Sequence, residues 1–158
     1  MFQAYYRLDR LSLPMPVDTF FQDLLELIIW EDQGFTNNKQ PDFFAGLAEH
    51  EVPIVETILL QQWHELSDLE LSYQAEEALT LLGLLYAQQK MFDRYVEIAR
   101  QMGTREWQRI TRLAEMAEKH QHFDLAIALY EACLGPGMQE NYLRKKFTEL
   151  QDRLKHID

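Results

Sequence analysis

Three arginines lie at helical spacing in the second half of the chain. Arg105, Arg109 and Arg112 follow one another at steps of four and three residues, which places them on one face of a helix. A guanidinium group binds a carboxylate through paired hydrogen bonds. The row therefore predicts a surface that binds carboxylates of another molecule or, alternatively, ion pairs with acidic residues of the same chain.

Histidine and cysteine do not occur in a pattern that predicts metal binding or nucleophilic catalysis. Two His-Glu dipeptides, at His50 and His64, look like fragments of a zinc motif, yet neither has a second histidine four residues on. His120 and His122 are two residues apart, so they either point to different faces of a helix or lie in the turn before Phe123. Cys133 is the only cysteine and occupies an apolar position, so we expect a packed thiol.

Acidic pairs are the other candidates for chemistry. Glu76 with Glu77, and Glu115 with Glu118, have the residue types of a general acid and base, but such pairs on amphipathic helices usually form a solvated face, which we expect here. No glycine-rich loop is followed by Lys-Ser or Lys-Thr, the motif that binds nucleotide phosphates. We therefore predict no catalytic residues, no metal site, no cofactor and no enzymatic activity.

The net charge of −11 is concentrated in the first half of the chain. Residues 1–80 contain three basic and fifteen acidic residues, whereas residues 81–158 contain twelve basic and eleven acidic ones. An acidic surface repels phosphates, so we expect neither nucleic acid nor a membrane as partner. The most apolar windows are shorter than the ~20 residues of a membrane span, and the single cysteine suits a reducing compartment. We expect a cytoplasmic protein.

Helical periodicity runs through most of the chain, and no segment shows sustained two-residue alternation. Apolar residues at steps of three and four predict helices over about 18–32, 43–50 and 71–89, with another that begins at Pro53. A last helix with one apolar stripe is predicted over 138–156. Helices thus account for all the regular structure that the sequence predicts.

One stretch of the second half repeats. Residues 79–102 align without a gap with residues 110–133, at an offset of 31. Apolar positions meet apolar positions, and a Phe-Asp dipeptide recurs at 92–93 and 123–124. Self-similarity at about this period indicates stacked helical hairpins.

These repeats resemble the tetratricopeptide family, which places small residues where two helices approach and an aromatic residue at the turn between them. The matching residues are Leu82, Gly83, Tyr86 and Phe92 in the first repeat and Leu113, Ala114, Phe123, Ala126 and Tyr130 in the second. Tyr95 and Ala117 depart from the pattern, and the period is 31 rather than the family's 34.

The resemblance implies a groove whose inner wall comes from the first helix of each repeat. The wall would include Leu84, Gln88, Arg112, Glu115 and Lys119, with Arg105 and Arg109 beside it. Some family members hold a peptide's terminal carboxylate with basic and amide residues at such positions. Leu81 and Leu84 do not fit that particular pattern.

We predict an all-α fold of antiparallel helical hairpins stacked as a short, tetratricopeptide-like α-solenoid with about seven or eight helices. A single domain over 1–158 would contain an irregular acidic helical part (1–70), two repeat-like hairpins (71–134) and a capping helix (138–156).

The leading functional hypothesis is a non-enzymatic adaptor or scaffold that binds a peptide or a protein. One alternative is an acidic inhibitor or immunity-type protein that covers a basic target with Asp18, Asp23, Glu26, Glu31 and Asp32. The other is a structural homo-oligomer, such as a homodimer, that buries Trp30, Phe35, Phe43 and Phe44.

Overall fold

The computed structural model of this chain describes residues 15–31, 40–102, 107–135 and 140–155, except for the side chain of Arg109. These residues form eight α-helices and no β-strand, which confirms the all-helical prediction. None of the described helices is long and apolar enough to cross a membrane. The chain divides into two compact units, unit 1 (Met1–Met91) and unit 2 (Phe92–Asp158); the predicted single domain and its parts stay a prediction.

Unit 1 contains four helices: α1 (Val17–Trp30), α2 (Gln40–Ala45), α3 (Val52–Asp68) and α4 (Ser72–Gln88). Helix α2 ends at Ala45, before the end of the predicted helix 43–50, because the chain turns at Gly46 ahead of α3. There the carboxylate of Glu51 accepts a hydrogen bond from the Ala48 backbone N–H at 2.7 Å. This hydrogen bond from Ala48 to Glu51 closes the turn that precedes α3.

Helices α3 and α4 form an antiparallel hairpin with a three-residue connection, and they pack against each other more extensively than any other pair of unit 1. The hydroxyl of Tyr86, near the end of α4, donates to the carboxylate of Glu56, near the start of α3, at 2.7 Å. Helix α4 also packs against α1 and α2. Its four consecutive residues Thr80–Gly83 are all buried, as expected for a helix enclosed on several sides.

Aromatic rings fill the space between α1 and α2. The ring centroids of Phe21 and Phe43 are 6.2 Å apart, and those of Phe43 and Phe44 are 5.1 Å apart. The side-chain amide of Gln89 donates to the Phe44 carbonyl at 2.6 Å, which ties the end of α4 to α2. The short helix α2 is therefore held by core packing rather than by its own length.

Unit 2 contains α5 (Phe92–Met102), α6 (Trp107–Lys119), α7 (Phe123–Ala132) and α8 (Glu140–Lys155). Helices α6 and α7 form a second hairpin with a three-residue connection, and α7 also packs against α5 and α8. Ala114 on α6 and Ala126 on α7 have no exposed surface, in agreement with the small residues that the repeat pattern places there. Leu143 and Leu150 anchor the apolar stripe of α8.

Three helices end in the same backbone motif. Glu70, Lys90 and Gln121 have positive φ angles of 58°, 58° and 63°. In each case the next residue donates its N–H to the carbonyl five residues before it, at 2.8 to 2.9 Å. This is the Schellman motif, which most often has glycine at the left-handed position. Lys90 and Gln121 are 31 residues apart, so the sequence repeat is also a repeat of local backbone structure.

Replacing Gln121 with glycine should stabilise the protein by about 1 kcal/mol. A left-handed backbone costs a residue with a Cβ atom about 1–2 kcal/mol, whereas glycine adopts it without that cost but loses more entropy on folding. Urea denaturation of Gln121→Gly and Gln121→Ala would measure the difference. Gln121→Ala keeps the Cβ atom and should show no gain; equal stability of both variants would contradict the prediction.

Candidate functional site

The outward face of α6 combines two cations with an apolar side chain. Arg112, Met116 and Lys119 follow at steps of four and three residues, on the side of α6 opposite the buried Ala114. All three are exposed, and Met116 retains 57% of its accessible surface. Methionine and arginine are both enriched at protein interfaces, which makes this face a candidate contact surface.

The structure describes part of the predicted arginine row. Arg105 lies outside the described residues, and Arg109 lies within α6 but its side chain is not described. Arg112 is exposed, and no described side chain forms an ion pair with it or with Lys119. For Arg112, therefore, intramolecular pairing has no support among the described residues.

Glu115 lies at the edge of this face, next to α8. Its carboxylate accepts a hydrogen bond from the hydroxyl of Tyr142 at 2.8 Å. Partial burial, followed by this hydrogen bond and the nearby carboxylates, raises the pKa of Tyr142 to about 12. One side of the predicted binding residue Glu115 is thus covered by Tyr142. Helix α8 therefore lies at the edge of the surface formed by Arg112 and Lys119.

Glu118 has a structural role. Its carboxylate accepts a hydrogen bond from the Tyr130 hydroxyl of α7 at 2.6 Å and lies 3.5 Å from the ammonium group of Lys146 on α8. Only 15% of the Glu118 side chain is exposed, and Tyr130 is fully buried. The expectation that Glu115 and Glu118 form a solvated acidic face is wrong for Glu118, because this carboxylate connects three helices.

Alkaline pH should weaken unit 2 through Tyr130. Burial, and then the hydrogen bond to Glu118, raise the pKa of Tyr130 above its ordinary value. The folded protein therefore retains a proton that the unfolded chain releases above about pH 10, and stability is lost from there upward at about 1.4 kcal/mol per pH unit. The free energy of unfolding of the wild type and of Tyr130→Phe, measured by denaturation at several pH values from about 9 to about 11.5, would give this slope. This range brackets the ordinary pKa of tyrosine. The variant should lose less stability, and parallel curves would contradict the assignment.

The two predicted site residues of the first repeat lie in unit 1. Leu84 is half-buried and Gln88 is exposed, both on α4. Thr80 and Leu81, about one helical turn before Leu84, are 8% and 0% exposed. Of these four positions, Leu84 and Gln88 are therefore the ones accessible to a ligand.

The described histidines are exposed, whereas the cysteine is buried. His50, His64, His120 and His122 are exposed, and within the described ranges no three His, Cys, Asp or Glu side chains are grouped so that they could hold a metal ion. His156 lies outside those ranges. Burial raises the pKa of Cys133 to about 12, and the residue is fully buried, which confirms a packed thiol.

Two aromatics proposed for an oligomer interface belong to the core. Phe43 is 3% and Phe44 is 0% exposed, because both rings pack in the aromatic cluster of unit 1. Trp30 is 51% exposed, and Phe35 lies outside the described residues. Of the three described aromatics in this set, Trp30 is therefore the one exposed at the surface.

The acidic residues proposed to cover a basic target lie along α1. Asp18, Asp23 and Glu26 are exposed and Glu31 is half-buried, while Asp32 lies outside the described residues. Glu76 of the other predicted acidic pair is exposed and Glu77 is half-buried.

Sequence reasoning missed two exposed features. It did not identify Leu27 as a surface residue, although Leu27 is 66% exposed and lies next to Trp30 on the outward side of α1. It also left out Met116, although Met116 follows Arg112 by four residues. A helical projection would have separated Leu27 from the buried Leu25, Ile28 and Ile29.

No protein-family model, no curated protein and no solved structure matches this chain.

Proposed function

We propose that this chain is a non-enzymatic protein-interaction module that binds a peptide or protein through the outward face of α6. The observation that carries the proposal is the exposed Met116 between Arg112 and Lys119, two cations that have no ion pair among the described side chains. Arginine and methionine are enriched at protein interfaces, and methionine adapts to partners of different shape.

The spacing of the two cations indicates the chemistry of the partner. Seven residues of helix separate Arg112 from Lys119, which corresponds to about 10 Å at ~1.5 Å per residue. A helical segment with acidic residues seven positions apart, and an apolar residue three or four positions after the first, presents these three side chains on one face at the same spacing. We therefore expect an acidic segment with an apolar side chain between its carboxylates, placed over Met116.

We further propose that the repeats stack in the tetratricopeptide-like manner. The support is local: Lys90 and Gln121 end their helices in the same Schellman motif, 31 residues apart. The next helices then begin at Phe92 and Phe123. Identical turns and helix starts at one period are what a stacked helical array requires.

Substituting Arg112 and Lys119 with glutamate together should weaken peptide binding at least about tenfold, because two attractive charges become repulsive. A library of displayed random peptides would be selected on the full-length wild type, and the recovered peptides titrated against this double variant by fluorescence anisotropy. Lys145→Glu with Arg153→Glu is the matched control, since both residues are exposed on α8 and the change in net charge is the same.

Acidic peptides that lose affinity for the α6 variant alone would support the proposal. Peptides that bind the wild type and the α6 variant equally would overturn it, and so would a selection that yields no enriched sequence. Circular dichroism of both variants checks that the helices remain folded.

A further inference from the structure

The outward face of α1 carries charge opposite to that of α6. Asp23, Glu26, Leu27 and Trp30 lie on the side of α1 away from the buried Leu25. Leu27 is 66% and Trp30 is 51% exposed. No hydrogen bond or ion pair among the described residues involves Asp23 or Glu26. Two large apolar side chains beside two such carboxylates form a surface that fits an apolar, cationic partner.

The surroundings of this face add to its preference for cations. The described residues of unit 1 include thirteen acidic residues but a single basic one, Lys90. The last turn of α1 contains no basic residue, so the negative end of its helix dipole is not balanced locally. A cation placed near Trp30 would interact favourably with that end of the helix.

The chain itself contains a face with the required chemistry and the same spacing. Asp23, Leu27 and Trp30 follow at steps of four and three, as do Arg112, Met116 and Lys119. We propose that α1 of one copy docks on α6 of a second copy of this chain. In an antiparallel arrangement the order of the two steps is reversed, so with Leu27 of the first copy opposite Met116 of the second, Asp23 lies within about one residue rise (~1.5 Å) of the level of Lys119.

The antiparallel arrangement also places Trp30 of the first copy opposite Arg112 of the second. An arginine over a tryptophan ring gains a cation–π interaction. The positive N-terminal half of α6 then lies beside the negative C-terminal end of α1, so the two helix dipoles attract each other. A parallel arrangement would lose the dipole attraction, which is why we favour the antiparallel one.

The contact is small and the association should be reversible. Two helix faces bury less than the ~1,200 Å² of a stable interface, and the net charge of −11 on each copy opposes association at low ionic strength. Salt at about 0.15 M reduces that repulsion to a range of ~8 Å while neighbouring opposite charges still interact. The association should therefore be measured near this ionic strength and up to high protein concentration.

Sedimentation equilibrium of the full-length protein with two charge-reversed variants tests the proposal. Asp23→Lys with Glu26→Lys gives a protein that is cationic on both faces, and Arg112→Glu with Lys119→Glu gives one that is acidic on both. Each variant alone should self-associate at least about tenfold more weakly than the wild type, because like charges then face each other. An equimolar mixture of the two should associate again, since each supplies the face that the other lacks.

Glu49→Lys with Asp68→Lys is the matched control, because both residues are exposed outside α1 and the change in charge equals that of the α1 variant. It should associate at least as well as the wild type. The proposal would be overturned if the wild type stayed monomeric up to about millimolar concentration, which is above the Kd of a typical weak interface. It would also be overturned if the mixture of the two variants failed to associate. The test uses no partner, so its failure is distinct from failure of the proposed peptide binding.

Discussion

Replacing Phe44 with alanine should lower the free energy of unfolding by about 3–5 kcal/mol, because it leaves a cavity where a fully buried ring was. Phe44 has no exposed surface, its ring lies 5.1 Å from that of Phe43, and its carbonyl accepts the hydrogen bond of Gln89. Domains of this size are stable by about 5–15 kcal/mol, so the variant should lose a substantial fraction of its stability. Urea denaturation followed by circular dichroism measures the change.

Trp30→Ala is the control for this substitution. It also removes a large aromatic side chain from unit 1, but from a residue that is 51% exposed, so the change should stay within about 0.5 kcal/mol. A loss at Trp30 as large as that at Phe44 would contradict the assignment of core and surface.

The same comparison decides how an oligomer interface can be tested. Serine substitutions at Phe43 and Phe44, a natural choice if these rings were exposed, would unfold unit 1 and abolish any assembly indirectly. Trp30 and Leu27 can be changed without that effect, since they are exposed on α1.

Helical periodicity predicted most of the fold because most helices bury one face. Helix α1 buries Phe21, Leu25, Ile28 and Ile29 at steps of three and four, and its observed bounds differ by about two residues from the predicted ones, as is usual at helix ends. The small residues Ala114 and Ala126 were also found from sequence, because close helix packing leaves no space for larger side chains there.

Other features had no local signal in the sequence. Glutamate, lysine and glutamine are not typical of left-handed turns, so the motifs at Glu70, Lys90 and Gln121 could not be predicted from residue type. The turn before α3 also had no local signal, because the hydrogen bond from the Ala48 N–H to the carboxylate of Glu51 is visible only in the folded chain.

The candidate site, like the fold, was predicted from the sequence only in part. The family resemblance implied Arg112, Glu115 and Lys119 as binding residues on one helix, and all three are exposed. The roles of the carboxylates depended on residues distant in sequence: Tyr142 of α8 approaches Glu115, and Tyr130 of α7 approaches Glu118. A pair of acids on a helix does not reveal which of them a neighbouring helix will cover.

Removing the carboxylate of Glu118 should lower the free energy of unfolding by about 2–3 kcal/mol. Glu118→Ala leaves the fully buried hydroxyl of Tyr130 without its acceptor, and an unsatisfied buried polar group costs about 1–3 kcal/mol. The variant also removes the ion pair with Lys146, whose side chain is 30% exposed and contributes less.

Glu115→Ala is the matched control on the same helix. Its partner Tyr142 is 43% exposed and can donate to water instead, so the expected change is within about 0.5 kcal/mol. Glu118→Gln should also be mild, because the amide oxygen still accepts from Tyr130.

A double-mutant cycle then isolates the hydrogen bond between Glu118 and Tyr130. Tyr130→Phe alone should cost about 1 kcal/mol, the usual net value of one hydrogen bond. In the Tyr130→Phe background, Glu118→Ala should cost clearly less than in the wild type, since no buried hydroxyl remains to be satisfied. Additive losses would show that the two side chains act independently, and unit 2 would then depend on the packing of the Tyr130 ring rather than on its hydroxyl.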